Sequence, residues 1–196
     1  MIPKRIINAW FGRGKKFEMF ERCLASQARV SGWEVIEINE DKIDPAVLGT
    51  PYYRGVLGRG EFVKATEYAR LWGLWMHGGV YMDADVALGK PLDPLLVHDM
   101  FIGREDDQWI NGAVIGATQG NATIRALLDA FPLASEGLEK ANEYGPKFLT
   151  KHLTGVPGVT VLPPEYFYPY LYNQTPDQAV ITPNTYAVHH WAKSWL

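Results

Sequence analysis

The sequence predicts an α/β fold in which a mostly parallel central sheet is flanked by helices. Its first 40 residues follow a strand, helix, strand pattern, which is typical of a βαβ unit. Farther on, a long helical pattern ends at a glycine pair and leads directly into a short apolar strand. The chain has 196 residues, 47% of them hydrophobic and 21% charged. This length and composition suit one domain spanning residues 1–196.

The N-terminal elements have clear boundaries in the sequence. Residues 5–11 are apolar and precede a glycine-rich turn, which predicts a strand followed by a loop. Apolar side chains at helical spacing predict an amphipathic helix over residues 17–31, and alternation over residues 33–38 predicts a second strand. Residues 44–60 contain two prolines and four glycines, so we expect a loop there with at most one helical turn.

The longest predicted helix covers residues 61–77, because no helix breaker occurs before Gly78 and Gly79. Residues 80–82 then predict a buried strand with an acidic segment at its carboxyl end. Farther along, the sequence predicts strands at residues 100–103 and 113–116 and helices at 122–131 and 136–153, the last of them broken or restarted at Gly145-Pro146. From residue 159 onward the tail is rich in Pro and Tyr.

Charge, cysteine content and hydropathy exclude several classes of protein. With 19 Lys and Arg against 22 Asp and Glu, the net charge is −3, and no basic cluster predicts a nucleic-acid partner. The single cysteine, Cys23, cannot form an intramolecular disulfide or a CxxC metal site. The longest apolar run, residues 71–82, is shorter than the roughly 20 residues of a membrane span, and no leader pattern is visible. We expect a soluble, cytoplasmic protein with at most peripheral contact at the inner membrane face.

The strongest chemical signal is the acidic pair Asp83 and Asp85. Two carboxylates that follow a buried strand are costly unless a cation lies between them. Such a pair can hold a hard divalent ion that shares its shell with substrate phosphates, at the sheet edge where α/β proteins bind ligands. An acidic surface turn is the alternative interpretation. Glu67 and Arg70, on one helix face, form either a surface ion pair or part of the same site.

Several segments, in order, resemble a known sugar-transferase signature. Residues 66–70 (TEYAR), 78–86 (GGVYMDADV) and 90–93 (KPLD) are similar to the DXD-containing glycosyltransferases of family 32. That family includes bacterial capsular-polysaccharide sugar transferases and fungal initiating mannosyltransferases, and the catalytic domains of large clostridial glucosylating toxins are more distantly similar. Further segments that look like family landmarks are residues 2–12, Asn111-Gly112 and residues 189–195.

This resemblance implies a GT-A fold and a metal-dependent glycosyltransferase of polysaccharide biosynthesis. The implied donor is a nucleotide-diphosphate sugar, such as a UDP- or GDP-sugar, and the implied acceptor is a saccharide or a lipid-linked saccharide. The implied cofactor is Mn²⁺ or Mg²⁺, with Asp85 as its ligand and Asp83 near the donor. Glu67 and Arg70 match residues that hold donor-sugar hydroxyls. The other implied donor-binding residues are Ala9, Trp10, Phe11, Tyr81, Ala84, Asn111, Gly112 and Trp195.

The C-terminal segment supplies the remaining metal ligands in this interpretation. Two carboxylates cannot fill the shell of a hard divalent ion, so a third protein ligand is expected. We predict His190 and Ser194 as these ligands, with His189 as the alternative to His190. Trp195 is expected to cap the donor and exclude water. Packing of the aromatic rings into the core is the alternative interpretation of this segment.

Two positions depart from the family pattern. Glu67 stands where Asp is usual, so its carboxylate reaches about one methylene farther and can alter the sugar preference. Asn8 stands where His is usual, which leaves open any contact made by that side chain. The resemblance suggests retention of anomeric configuration. Because the sequence offers no clear covalent nucleophile, we expect the acceptor hydroxyl to attack on the same face.

Two other classes of protein were weighed against this interpretation. A haloacid-dehalogenase-type phosphatase also places a DxD motif after a strand, but Ala87 stands where Thr or Val is needed, and the motif lies too far along the chain. A non-catalytic sugar-nucleotide- or glycan-binding module would keep the same fold. The presence of both acidic residues and Arg70 gives no indication that turnover has been lost.

Overall fold

A computed structural model describes residues 1–192, and these residues adopt the predicted α/β architecture. The strands are β1 (Arg5–Ala9), β2 (Glu34–Ile38), β3 (Gly79–Met82), β4 (Val86–Leu88), β5 (Met100–Arg104), β6 (Ile110–Ala117), β7 (Val159–Leu162) and β8 (Ala187–His189). The α-helices are α1 (Glu18–Ala28), α2 (Pro45–Leu48), α3 (Pro51–Gly58), α4 (Phe62–His77), α5 (Ala122–Ala130), α6 (Ala141–Tyr144) and α7 (Pro146–Leu153). None of the helices described is both long and apolar enough to cross a bilayer.

The main sheet has the strand order β2-β1-β3-β6-β5-β7, and only β6 runs antiparallel to its neighbours. The carboxyl ends of β1, β3 and β5 therefore meet the amino end of β6 at one edge. Strands β4 and β8 form a separate antiparallel pair. The prediction of a mostly parallel sheet is confirmed, and the edge that follows β3 is the one at which open α/β sheets bind ligands.

Both faces of the sheet are buried, as expected for a layered α/β protein. Ile7 and Tyr81 point into the core beneath helices α4, α5 and α7, whereas Ile6 and Val80 point into a second core on the opposite face. Helix α4 packs against β1, β3, α3 and α5, so most of its surface is covered. Polar side chains on this helix are consequently buried inside the domain.

The loop predicted for residues 44–60 is wrong, because the segment contains the two short helices α2 and α3. Each helix begins with a proline, and the residue before that proline is an N-cap whose side chain accepts a backbone N–H. Asp44 accepts from Ala46, and Thr50 accepts from Tyr53. Proline at the first helical position starts a helix instead of breaking it.

The predicted C-terminal half also needs correction. Residues 136–140 lie outside any helix, so the predicted start of the helix over residues 136–153 is wrong, whereas its predicted break is confirmed, since Gly145 separates α6 from α7. The Pro- and Tyr-rich tail contains two strands for which the sequence gives no prediction: β7, paired with β5, and β8, paired with β4. These strands are short and their partners are distant in sequence, so local alternation gives little sign of them.

Candidate active site

The acidic pair lies where the sequence predicts, directly after β3. Two glycines make the approach from helix α4 possible: Gly78 has φ 60° and Gly79 has φ 123°. A Cβ atom at position 79 would lie 2.6 Å from the carbonyl oxygen of Arg5, so strand β3 could not enter the sheet beside β1. The glycine pair thus delivers the carboxylates of Asp83 and Asp85 to the ligand edge of the sheet.

Asp83 belongs to a polar cluster formed by residues of α4 and β3. Its Oδ1 accepts a hydrogen bond of 2.6 Å from Tyr81 Oη and lies 3.4 Å from Nη2 of Arg70. The same guanidinium nitrogen lies 3.3 Å from Oε1 of Glu67. The side chains of Arg70 and Glu67 are only 5% and 8% exposed, whereas that of Asp83 is 23% exposed. The surface ion pair considered from the sequence is therefore ruled out.

Asp85 has a different set of partners, supplied by the C-terminal segment. Its Oδ1 lies 3.3 Å from Nε2 of His189, and its Oδ2 accepts a 2.9 Å hydrogen bond from the backbone N–H of Ala192. Pairing of β4 with β8 places His189 opposite Val86, which follows Asp85 in the chain. This pairing explains how a residue more than 100 positions away reaches the acidic motif.

Asp83, Asp85 and His189 together form a candidate metal site. One ligand atom from each residue lies within 4.8 Å of the others. The other ring nitrogen of His189, Nδ1, is buried without a hydrogen-bond partner among the described residues. Two carboxylates and an imidazole are a suitable donor set for a divalent ion such as Mn²⁺. The residues present therefore fit the metal that the sequence predicts.

Burial and opposite charges determine how these groups titrate. Burial raises the pKa of Glu67 to about 7, although Arg70 opposes this effect. Burial also acts to raise the pKa of Asp85, but the charge and hydrogen bond of His189 outweigh it and lower that pKa to about 2. Conversely, burial acts to lower the pKa of His189, and Asp85 reverses this and raises it. The ion pair of Asp85 and His189 is thus favoured when no metal is bound.

Of the two C-terminal histidines, the structure brings His189 into the acidic cluster and not His190. His190 directly follows the end of β8, and its side chain points elsewhere, with Nδ1 3.3 Å from Tyr170 Oη. The structure thus favours His189, the alternative named from the sequence, over His190 as the candidate third ligand, and the ligand assignment itself stays a prediction. The other two C-terminal predictions, Ser194 as a metal ligand and Trp195 as a cap, lie outside the described residues.

Asn8, where the family pattern has His, points into the protein and not toward a ligand. Its amide donates to Gln27 Oε1 at 2.7 Å and to the carbonyl oxygen of Met82 at 2.8 Å. Gln27 in turn donates to the carbonyl oxygens of Asp83 and Val86, at 3.1 and 2.7 Å. This relay holds the backbone on both sides of the acidic motif. The buried face of helix α1 contains Gln27 at an otherwise apolar position, which is the signal that sequence reasoning missed.

Asn111 and Gly112 lie near the start of β6, which is buried along its whole length, and Gly112 adjoins Arg70. The Asn111 side chain donates to Glu105 and accepts the Ala113 N–H at 2.8 Å, and its backbone oxygen accepts from Tyr168 Oη at 3.0 Å. Glu105, which directly follows β5, is buried, and this burial raises its pKa. Sequence analysis overlooked Glu105 as a polar residue at the carboxyl end of a strand.

The remaining predicted donor-binding residues have unequal access to solvent. Ala9 is buried, and so is Phe11, whose ring packs 5.9 Å from that of Tyr53. Trp10 and Ala84 are half-buried. The indole of Trp10 donates to Gly14 at 3.0 Å and lies 5.0 Å from Lys16 Nζ. Within this group, the Trp10 ring is the one available for stacking.

Comparisons with known proteins agree with this arrangement. A family model described as the glycosyltransferase sugar-binding region containing a DXD motif matches residues 20–102. Over 149 residues the chain is 28% identical to lactosylceramide 4-alpha-galactosyltransferase of Rattus norvegicus, an alignment covering 65% of this chain. The chain spans only 40% of the length of that relative.

Solved structures of glycosyltransferases share the fold. The PaToxG glycosyltransferase superposes with a TM-score of 0.58 at 19% identity, over 79% of this chain and 71% of that one. A glycosyltransferase involved in glycosylation of the major capsid of PBCV-1 gives a TM-score of 0.53 at 12% identity, over 95% and 93% of the two chains. Membership of family 32 and the likeness to clostridial toxins stay predictions. The chain has the mixed α/β, mostly parallel fold of the GT-A glycosyltransferases.

Proposed function

We propose that this chain transfers a sugar from a nucleotide-diphosphate sugar to a saccharide or lipid-linked saccharide acceptor. The observation that carries the proposal is the juxtaposition of two chemically distinct clusters at one sheet edge. Asp83, Asp85 and His189 can hold a divalent ion, and the Glu67–Arg70 pair lies directly beside Asp83. The DXD family match and the GT-A fold support this assignment.

In this proposal, the candidate metal-binding residues serve the diphosphate part of the donor. A bound Mn²⁺ or Mg²⁺ would neutralise the charge that develops on the leaving diphosphate. Asp85 and His189 are held in place by β4–β8 pairing, and the Ala192 N–H orients the second oxygen of Asp85. Asp83 is more exposed than Asp85, so it can reach both the ion and the donor.

In this proposal, Glu67 and Arg70 contact the sugar part of the donor. Both side chains are buried on helix α4, and a buried, fixed guanidinium can donate two parallel hydrogen bonds to sugar oxygens. The carboxylates of Glu67 and Asp83 also favour positive charge near the anomeric carbon as its bond to the leaving group breaks. We propose retention of configuration, with the acceptor hydroxyl attacking on the face that the diphosphate leaves.

Stacking of the nucleotide base on Trp10 completes the proposed donor site, because that ring is half-buried beside the end of β1. We keep the cytoplasm as the proposed location, with at most peripheral membrane contact for a lipid-linked acceptor. UDP- and GDP-sugars are the proposed donor classes.

A panel of UDP- and GDP-sugars tests the proposal. The purified chain should release nucleoside diphosphate from at least one donor in the presence of Mn²⁺ or Mg²⁺, and release should stop when EDTA is added. A double Asp83→Asn/Asp85→Asn variant, checked for folding by circular dichroism, should release none. A chain that binds donors but neither hydrolyses nor transfers any sugar would instead be a binding module, and the proposed activity would be wrong.

A further inference from the structure

The Glu67 carboxylate lies between the backbone of Gly145, which forms a wall without a side chain, and the guanidinium of Arg70. On one side lies Gly145, where a Cβ atom would be 2.9 Å from Oε1 and 3.3 Å from Cδ of Glu67. On the other side lies Arg70, whose guanidinium occupies the space that a side chain at Gly112 would need. Glu67 therefore occupies its position because both glycines leave room for the pair.

The Gly145 wall is firmly anchored in the core. Tyr144 is buried, with its ring centroid 5.0 Å from that of Tyr52. Phe148, in the helix that follows Gly145, packs its ring 5.5 Å from that of Phe131. Aromatic packing on both sides of Gly145 resists displacement of the backbone. A methyl group added at Gly145 would therefore push the Glu67 carboxylate aside and leave the wall in place.

The Glu67 side chain reaches the Gly145 wall with its terminal atoms, so the missing side chain at Gly145 supplies the space that the carboxylate fills. We propose that Gly145 is a positioning residue for donor-sugar recognition, because it sets how far the Glu67 carboxylate projects toward the sugar hydroxyls. This inference rests on the proposed glycosyltransferase function. The donor class it concerns is the hexose part of a nucleotide-diphosphate sugar, and the nucleotide and diphosphate contacts are not involved.

The test is a set of variants of the full chain: Gly145→Ala, Glu67→Asp and the double variant. For the best donor, Gly145→Ala should lower kcat/KM about tenfold, because displacing a positioning group by a fraction of an ångström is costly. The Mn²⁺-dependent Kd of the free nucleoside diphosphate should stay within twofold of wild type. Adding Glu67→Asp to Gly145→Ala should raise kcat/KM again, since the shorter carboxylate clears the added methyl group.

A matched control is Gly58→Ala at the end of helix α3, where an added Cβ meets no atom within 4 Å. This variant should keep wild-type kinetics. If Gly145→Ala does not fold, the inference is tested with the double variant. That variant should fold and turn over donor at the rate of Glu67→Asp alone.

The inference is overturned if Gly145→Ala keeps wild-type kcat/KM, if free nucleoside-diphosphate binding falls as much as turnover, or if Glu67→Asp gives no rescue. Failure of the double variant to fold would also overturn it. A wild-type chain that turns over no nucleotide sugar contradicts the proposed function and removes the basis of this inference, so the two failures are distinguishable.

Discussion

Asp83 and Asp85 follow the same strand two residues apart, yet their carboxylates belong to two differently built halves of the site. Asp83 contacts Arg70 and Tyr81, which precede it by 13 and 2 residues in the chain. Asp85 contacts His189 and the backbone of Ala192, from the far end of the described chain. One half is therefore local in sequence, and the other forms only when distant segments pair.

The two halves of the site therefore have different proposed roles. The local half contains the buried guanidinium and carboxylate that suit sugar hydroxyls, and it is anchored on helix α4. The distant half contains Asp85 and His189, two of the three candidate metal ligands, and depends on the β4–β8 pairing. Changes in the distant half should therefore affect metal binding first, whereas changes at Glu67 and Arg70 in the local half should affect sugar turnover at nearly constant diphosphate affinity.

The largest effect is expected for Asp85→Asn, which removes one charge from the distant half. Metal-dependent transfer should fall at least about 1,000-fold, or roughly 4 kcal/mol of transition-state stabilisation. The measurement is the kcat/KM for the best donor at saturating Mn²⁺. Asp41→Asn is the control: it changes an exposed carboxylate paired with Arg13 and should leave kcat/KM unchanged. A variant of Asp85 that keeps more than a tenth of wild-type activity would refute the metal assignment.

The second-largest effect is a pH dependence of the free energy of unfolding, which Glu67 of the local half contributes. Burial raises the pKa of Glu67 from 4.5 to about 7, so between these pH values the folded chain holds a proton that the unfolded chain has released. The contribution of Glu67 to the free energy of unfolding should therefore fall as pH rises through this window, by about 3 kcal/mol at most. Denaturant unfolding at pH 5 and pH 7.5 measures it.

Glu67→Gln, which is neutral at both pH values, should lose less stability than wild type over the same window. Glu143→Gln, which changes an exposed residue paired with Lys147, is the control and should retain the wild-type pH dependence. Equal slopes for wild type and Glu67→Gln would show that the carboxylate is already ionised at pH 5 in the folded chain.

The local half is also the half that could be predicted from the sequence. Helix α4, its glycine terminator and the strand before Asp83 are contiguous, so periodicity and turn chemistry locate Glu67, Arg70 and Asp83 together. The choice between His189 and His190 could not be made, because it depends on the register of two three-residue strands. The roles of Asn8 and Gln27 could not be predicted either, since each donates to a backbone carbonyl of a residue far away in the chain.

Adjacent histidines allow the distant half to be tested by a matched pair of substitutions. His189→Gln should weaken Mn²⁺ binding by up to about 100-fold, equivalent to about 2.7 kcal/mol, because a ligand is lost. His190→Gln should change the affinity by less than threefold, since that ring faces Tyr170. Isothermal titration with Mn²⁺ in the presence of a nucleoside diphosphate measures both. Equal losses in the two variants would contradict the placement of His189 as the ligand.

The smallest effect is expected for Arg70→Lys in the local half. Lysine keeps the positive charge beside Glu67 and Asp83 but cannot reproduce a two-pronged guanidinium contact. We expect kcat/KM for the sugar nucleotide to fall about tenfold, or about 1.4 kcal/mol, with the nucleoside-diphosphate Kd unchanged. Arg125→Lys is the matched control, because Arg125 forms an exposed pair with Asp129 on helix α5.

Measuring both constants on the same protein separates two roles for Arg70. If Arg70 holds the sugar, turnover falls while binding of the free nucleoside diphosphate stays constant, because the free nucleotide lacks the group that Arg70 contacts. If sugar-nucleotide and free-nucleotide binding weaken equally, Arg70 serves the diphosphate. The local half would then share the work assigned to Asp85 and His189, and the division between the two carboxylates would not hold.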